Sequence, residues 1–69
     1  MPTPDLIKRF TYHPPKGDQK DRYEKIREWA SHMASFIDEN VPDCREKSLA
    51  ITNLEQSVMW ANAAIARNE

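Results

Sequence analysis

Two apolar stripes with the same helical spacing dominate this chain. Tyr23, Ile26, Ala30, Met33 and Ile37 follow one another at intervals of 3, 4, 3 and 4 residues, and Ile51, Leu54, Val58, Ala61 and Ile65 repeat the pattern. That spacing gathers side chains on one face of an α-helix, whereas a strand changes face at every residue. Asn40-Val41-Pro42-Asp43 separates the stripes, and Pro42 lacks the backbone donor that a continuing helix needs. Asp18 suits the N-cap of the first helix, with Asp21 placed to meet its dipole. Asp43 and Glu46 predict a capping box for the second. Two helices joined by so short a turn fold back on each other. The expected fold is all-α: an antiparallel two-helix hairpin over residues 18–69, preceded by an N-terminal arm over residues 1–17.

The arm is set apart by its punctuation. Gly17 is the only glycine, and four of the five prolines fall within residues 1–15. Pro14, Pro15 and Gly17 break any regular helix. Thr3-Pro4-Asp5 can open a short helical turn, with Thr3 as cap and Pro4 in the first position. The alternative is an extended arm, in which Phe10 faces one side and Arg9, Thr11 and His13 the other.

Apolar residues remain after the stripes are paired. Trp29 and Phe36 lie beside the first, and Leu49, Met59, Trp60, Ala63 and Ala64 lie off the second. A hairpin is a single layer and leaves such residues uncovered, as a patch larger than monomers usually tolerate. The 69-residue chain forms one small domain and has a single cysteine, so no internal disulfide supports it. Two histidines and one cysteine do not make a structural zinc site. Stability is therefore expected from self-association as a homo-oligomer packed through helices.

Charge narrows the partners. The net charge of −1 argues against a coat for long nucleic acid. Its distribution is uneven: residues 8–27 carry seven basic and three acidic side chains, and residues 28–69 carry three basic and seven acidic ones. A cationic front with an anionic rear suits a small anionic ligand better than a long polyanion. No apolar run has the length of a membrane span or the form of a signal-peptide core. Catalysis and cofactors are not expected. His13 and His32 have no partner at metal spacing, and Cys44 reads as a small, at least half-buried turn residue.

Arg9-Phe10-Thr11-Tyr12-His13 interleaves cations with aromatics, and Tyr12 stands just before the rigid Pro14-Pro15 pair. A positioned aromatic beside cations is what nucleobase stacking with phosphate neutralisation requires. Equally, Phe10 and Tyr12 can simply pin the arm to the hairpin. Lys20 with Glu24, Asp21 with Lys25, and Glu24 with Arg27 are at helical neighbour spacing and can form a solvated ionic face. Arg67 can serve the dipole at the end of its helix. In an antiparallel hairpin, though, that end returns towards residues 18–25 and the arm. A small helical oligomeric adaptor, docking another protein through its Trp-bearing face, has the same composition.

Several segments resemble one known family. They are Arg9 to Pro15, Arg22-Tyr23-Glu24-Lys25-Ile26-Arg27, Pro42 to Ala50, and Leu54 to Asn68. Together they are similar to the small phage anti-CBASS cyclic-oligonucleotide sponges, whose hairpin module also occurs in an anti-Thoeris sponge. The resemblance implies a helical hairpin assembled as a hexamer. It also implies cyclic dinucleotides such as cGAMP bound between protomers, cyclic trinucleotides at separate sites in some members, and capture without cleavage in the host bacterial cytoplasm. By the same resemblance Tyr12 stacks on a base, Lys25 or preferably Arg27 meets phosphate, and Arg67 closes the pocket from a neighbouring chain. Arg9 and His13 belong to the arm motif. Arg45 and Ser48 are candidates for the trinucleotide site or the oligomer contact. Cys44 stands where relatives often carry serine.

Overall fold

The computed structural model describes residues 3–69. Three helices run in order, α1 (Pro4–Phe10), α2 (Gln19–Asn40) and α3 (Arg45–Asn68), with no strand among the described residues. The arm is therefore helical over Pro4–Phe10, and the extended alternative is corrected for that part of it. Thr3 has an extended backbone, its Oγ1 accepts from the Leu6 amide at 3.2 Å, and Pro4 opens the helix. Proline's fixed φ and missing N–H cost nothing at that position. With residues up to Phe10 helical, the expected alternation of Arg9, Thr11 and His13 on one side is lost.

Gly17 begins the turn into α2 with φ +57, a conformation in which an L side chain meets its own backbone. A Cβ there touches nothing else within 4 Å, so the cost of replacing it is purely conformational. Gly17→Ala is expected to destabilise the fold by about 1 kcal/mol, measurable as a lower thermal midpoint. Asp18 is the N-cap as expected but makes no side-chain cap bond, because its backbone (ψ 8) is not extended. Its carboxylate turns to Arg22 at 3.3 Å.

The capping box expected at Asp43 does not form. Cys44 is the N-cap of α3, again without a side-chain bond. Asp43 instead accepts from Lys47 Nζ at 2.7 Å, a charge-assisted bond stronger than one to a neutral amide. Lys47 is only 8% exposed. Its ammonium also donates to the Asp38 carbonyl at 2.8 Å and pairs with the Asp38 carboxylate at 3.1 Å. One buried lysine thus ties the end of α2, the turn and the first turn of α3. Lys47→Met is expected to lower the thermal midpoint by loosening this end of the hairpin. An unchanged midpoint would show that the staple contributes nothing. Cys44, expected at least half-buried, is exposed, because the packed centre of the turn is taken by the lysine stem.

α2 and α3 run antiparallel: Lys47 near the start of α3 meets the end of α2, and Glu69 after α3 meets Arg22 in the first turns of α2. The stripes face each other. Tyr23, Ile26, Ala30 and Ile37 are half-buried, as are Ile51, Leu54, Val58, Ala61 and Ile65. Met33 departs from its stripe at 52% exposed, while Ala34 is half-buried. The seam drifts towards Ala34 because a straight helix repeats at 3.6 residues, not 3.5.

No hydrophobic residue among those described is buried. The extents are 49 × 29 × 12 Å, and the last is one helix diameter. The accessible surface is 5779 Å², against roughly 4,500 Å² for a compact monomer of 8.1 kDa. The radius of gyration is 15.4 Å, where about 11 Å is usual for this length. The chain is a flat layer that leaves Trp29, Phe36, Met59 and Trp60 exposed outside the seam.

Candidate functional site

A two-helix layer has two broad faces, and the helical screw decides which residues reach each. Lys25 and Arg27 are two positions apart, about 200° around the axis, so they leave α2 on opposite sides. On one face lie two shallow grooves that share Arg27. The larger, of about 390 Å³, is lined also by Ala34, Leu54, Glu55 and Met59. The second, of about 340 Å³, is bounded by Tyr23, Arg27, Asn62, Ala63 and Ala66. Asn62 Oδ1 is buried there without a hydrogen-bond partner. Lys25 lines neither groove. The opposite face presents Trp29, Met33, Ser57 and Ala61 around a groove of about 350 Å³. Trp29 is 77% exposed and Trp60 66%.

At one end of the layer the arm meets the last turn of α3. Arg22 donates through both terminal nitrogens to the Glu69 carboxylate, one bond being 2.9 Å. Gln19, only 4% exposed, donates to the same carboxylate at 3.4 Å and receives the Lys16 amide at 3.1 Å. Lys16 Nζ reaches the main-chain oxygen of Glu69 at 2.7 Å. Lys8 Nζ donates to Asn68 Oδ1 at 3.0 Å. His13 Nε2 lies 2.8 Å from the Lys8 carbonyl and donates to that otherwise unpaired oxygen at the end of α1. The backbone around Tyr12 is held on both sides, yet the Tyr12 ring is 81% exposed.

These contacts fix the charge states. Glu69 is held below the usual carboxylate range by its bond from Arg22, then by Gln19, and Arg22 is raised in return. Asp43 is lowered by Lys47, which is raised by Asp43 and then Asp38. The two lowered carboxylates stabilise the fold above the carboxylate range, and that stability is lost as pH falls through their folded values. The raised Lys47 and Arg22 lose their contribution only in strong base. The thermal midpoint should therefore be flat from about pH 5 to pH 9 and fall below about pH 4. Glu69→Gln should flatten part of the acid limb in a pH series of melts.

The sequence-derived site residues divide between the two ends. Tyr12, His13, Arg9 and the half-buried Arg67 lie at the arm end, with Arg27 and Lys25 further along α2. Arg45 and Ser48 open α3 at the other end, a helix length of roughly 33 Å away. Ser48 shares a groove there with Asp38, Asp43, Cys44 and Lys47. Arg9 is held by Asp5 at 3.2 Å within α1. The pairs Lys20–Glu24, Asp21–Lys25 and Glu24–Arg27 are not among the ion pairs of the described residues; the cation that pairs on α2 is Arg22. Sequence reasoning assigned no contact to Lys16, Gln19, Arg22, Lys47 or Asn62. Asp18–Arg22 and Asp43–Lys47, both four apart, were the available signals for two of them.

Among protein families, the one described as Acb2/Tad1, hairpin domain, matches residues 3–66. The chain belongs to the Acb2/Tad1 hairpin family. At family level the Acb2/Tad1 hairpin is a phage sponge for cyclic nucleotides, active against CBASS and Thoeris defence, and a binding protein rather than an enzyme. No curated protein and no solved structure matches the chain. The match takes in α1, the arm motif with Tyr12, and both groove faces, but stops before Arg67, Asn68 and Glu69. No described helix is long and apolar enough to cross a membrane.

Proposed function

We propose that this protein is a phage counter-defence sponge that binds cyclic dinucleotides of CBASS signalling, 3′,3′-cGAMP among them, and holds them without cleaving them in the host bacterial cytoplasm. The observation that carries the reading is the family match over residues 3–66. Tyr12 stacks on a base, as its exposure at a tethered point of the arm allows. Arg27, placed between two grooves, meets a phosphate in preference to Lys25, which lines neither. Arg67 closes the pocket from a neighbouring protomer. Arg45 and Ser48 serve a trinucleotide site or an oligomer contact at the opposite end.

The same reading assembles the chain as a homo-oligomer, and as a hexamer on the family resemblance. A monomer with no buried hydrophobic residue among those described, and with exposed Trp29, Trp60 and Phe36, has an apolar patch that association covers. α1 adds to it with Leu6, Ile7 and Phe10, all exposed. Capture by a preassembled site needs little ordering on binding, which suits a protein that must compete with an effector.

Two measurements test this. Radiolabelled 3′,3′-cGAMP incubated with the protein should be recovered intact after denaturation, whereas linear nucleotide would mean an enzyme. Loss of one charge-assisted phosphate contact typically costs about 1.5–3 kcal/mol. Arg27→Ala should therefore weaken binding at least tenfold and Lys25→Ala little; the reverse would move the phosphate to the other face.

A further inference from the structure

We propose that Asn68 and Glu69, which lie outside the family-matched residues 3–66, form a clasp that positions Tyr12. The inference rests on the ligand role of Tyr12 given above.

α1 is weakly anchored by apolar contact, with Leu6 44% and Ile7 52% exposed. It buries none of its residues, and Phe10 is 85% exposed. What fixes the arm is polar and comes from the last turn of α3. The ties fall on both sides of Tyr12. On one side Lys8 donates to Asn68, and its carbonyl accepts from His13, which follows Tyr12. On the other, Lys16 donates to Glu69, and Gln19 joins the Lys16 amide to the Glu69 carboxylate. The Arg22 fork holds that carboxylate in place. Between Lys8 and Lys16 run seven residues, Tyr12 among them, of which Pro14 and Pro15 have fixed φ. The segment has little freedom once both ends are tied.

The arrangement gives Asn68 and Glu69 a positioning role. They touch the arm and not the base, and they hold an otherwise unsupported aromatic where a ligand meets it. The same turn carries Arg67, so the clasp also sets the spacing between arm and last turn. Solvent-exposed ionic ties are individually weak, but here several act on one short segment.

The test compares the full chain with Asn68→Ala/Glu69→Gln and, separately, Tyr12→Ala. Hydrogen exchange of the amides in residues 11–17 reads the arm without ligand, and titration with 3′,3′-cGAMP reads the site. The clasp variant should exchange faster across residues 11–17, keep wild-type exchange in α2 and α3, and bind roughly three- to tenfold more weakly, as expected for loss of a few surface ties. The reversed pair Arg22→Glu/Glu69→Arg should recover part of both readouts that Glu69→Arg alone loses. Unchanged exchange in the clasp variant overturns the clasp. Faster exchange with unchanged affinity, while Tyr12→Ala binds weakly, overturns the positioning role. Wild-type affinity in Tyr12→Ala overturns the site reading itself, and the inference with it.

Discussion

Tyr12→Ala should weaken binding of 3′,3′-cGAMP at least tenfold and leave the oligomer intact. Stacking of one base on an aromatic side chain contributes about 1–3 kcal/mol, equivalent to roughly 5- to 150-fold in affinity. The upper part of that range is expected here, because the ring is 81% exposed and loses no intrachain packing when removed. For the same reason the substitution should not disturb the fold. Tyr12→Phe keeps the stacking plane and should retain most of the affinity. If alanine binds as tightly as the wild type, the base is not held by the arm. If alanine also changes the mass by light scattering, Tyr12 is an assembly residue and not a stacking platform.

Trp29→Glu has the second large effect. Trp29 is 77% exposed on the face that also carries Met33 at 52% and Phe36 at 64%. In a homo-oligomer that face is covered, and a buried, unpaired carboxylate there is strongly destabilising. The expected result is a shift to monomer mass in light scattering. Because the lone protomer buries no hydrophobic residue among those described, its cooperative thermal transition should be lost with the assembly. The wild-type midpoint should rise with protein concentration, as mass action requires of a fold maintained by association. A wild type that is monomeric, with a cooperative and concentration-independent melt, would exclude the assembled sponge.

The fold was legible where periodicity governs it. Both stripes are found on the seam, save for Met33, and the breaks at Pro42 and Gly17 fall between helices. What spacing could not supply were contacts between residues far apart in sequence. Lys47 reads as one more solvated lysine until α2 returns alongside it and its ammonium finds the Asp38 carbonyl. Asp43 then becomes its partner, and the capping box that the local pattern favours is lost to a stronger tertiary bond. Glu69, an unremarked acid in the sequence, meets Arg22, Gln19 and Lys16 only because the hairpin is antiparallel. Arg27 and Lys25 are equivalent by composition, and they separate once the two faces of the layer exist. At Arg9 the short helix decided matters: its pairing with Asp5 needs the helical spacing that an extended arm lacks.

Capture of a cyclic dinucleotide is read out by equilibrium titration of the purified protein with labelled 3′,3′-cGAMP. To keep its ligand from an effector a sponge needs a dissociation constant of about 1 nM, or about −12 kcal/mol. Saturable binding near that value, with the ligand recovered unchanged, is the expected result. Absence of binding at micromolar protein, for this ligand and for a cyclic trinucleotide, would contradict it.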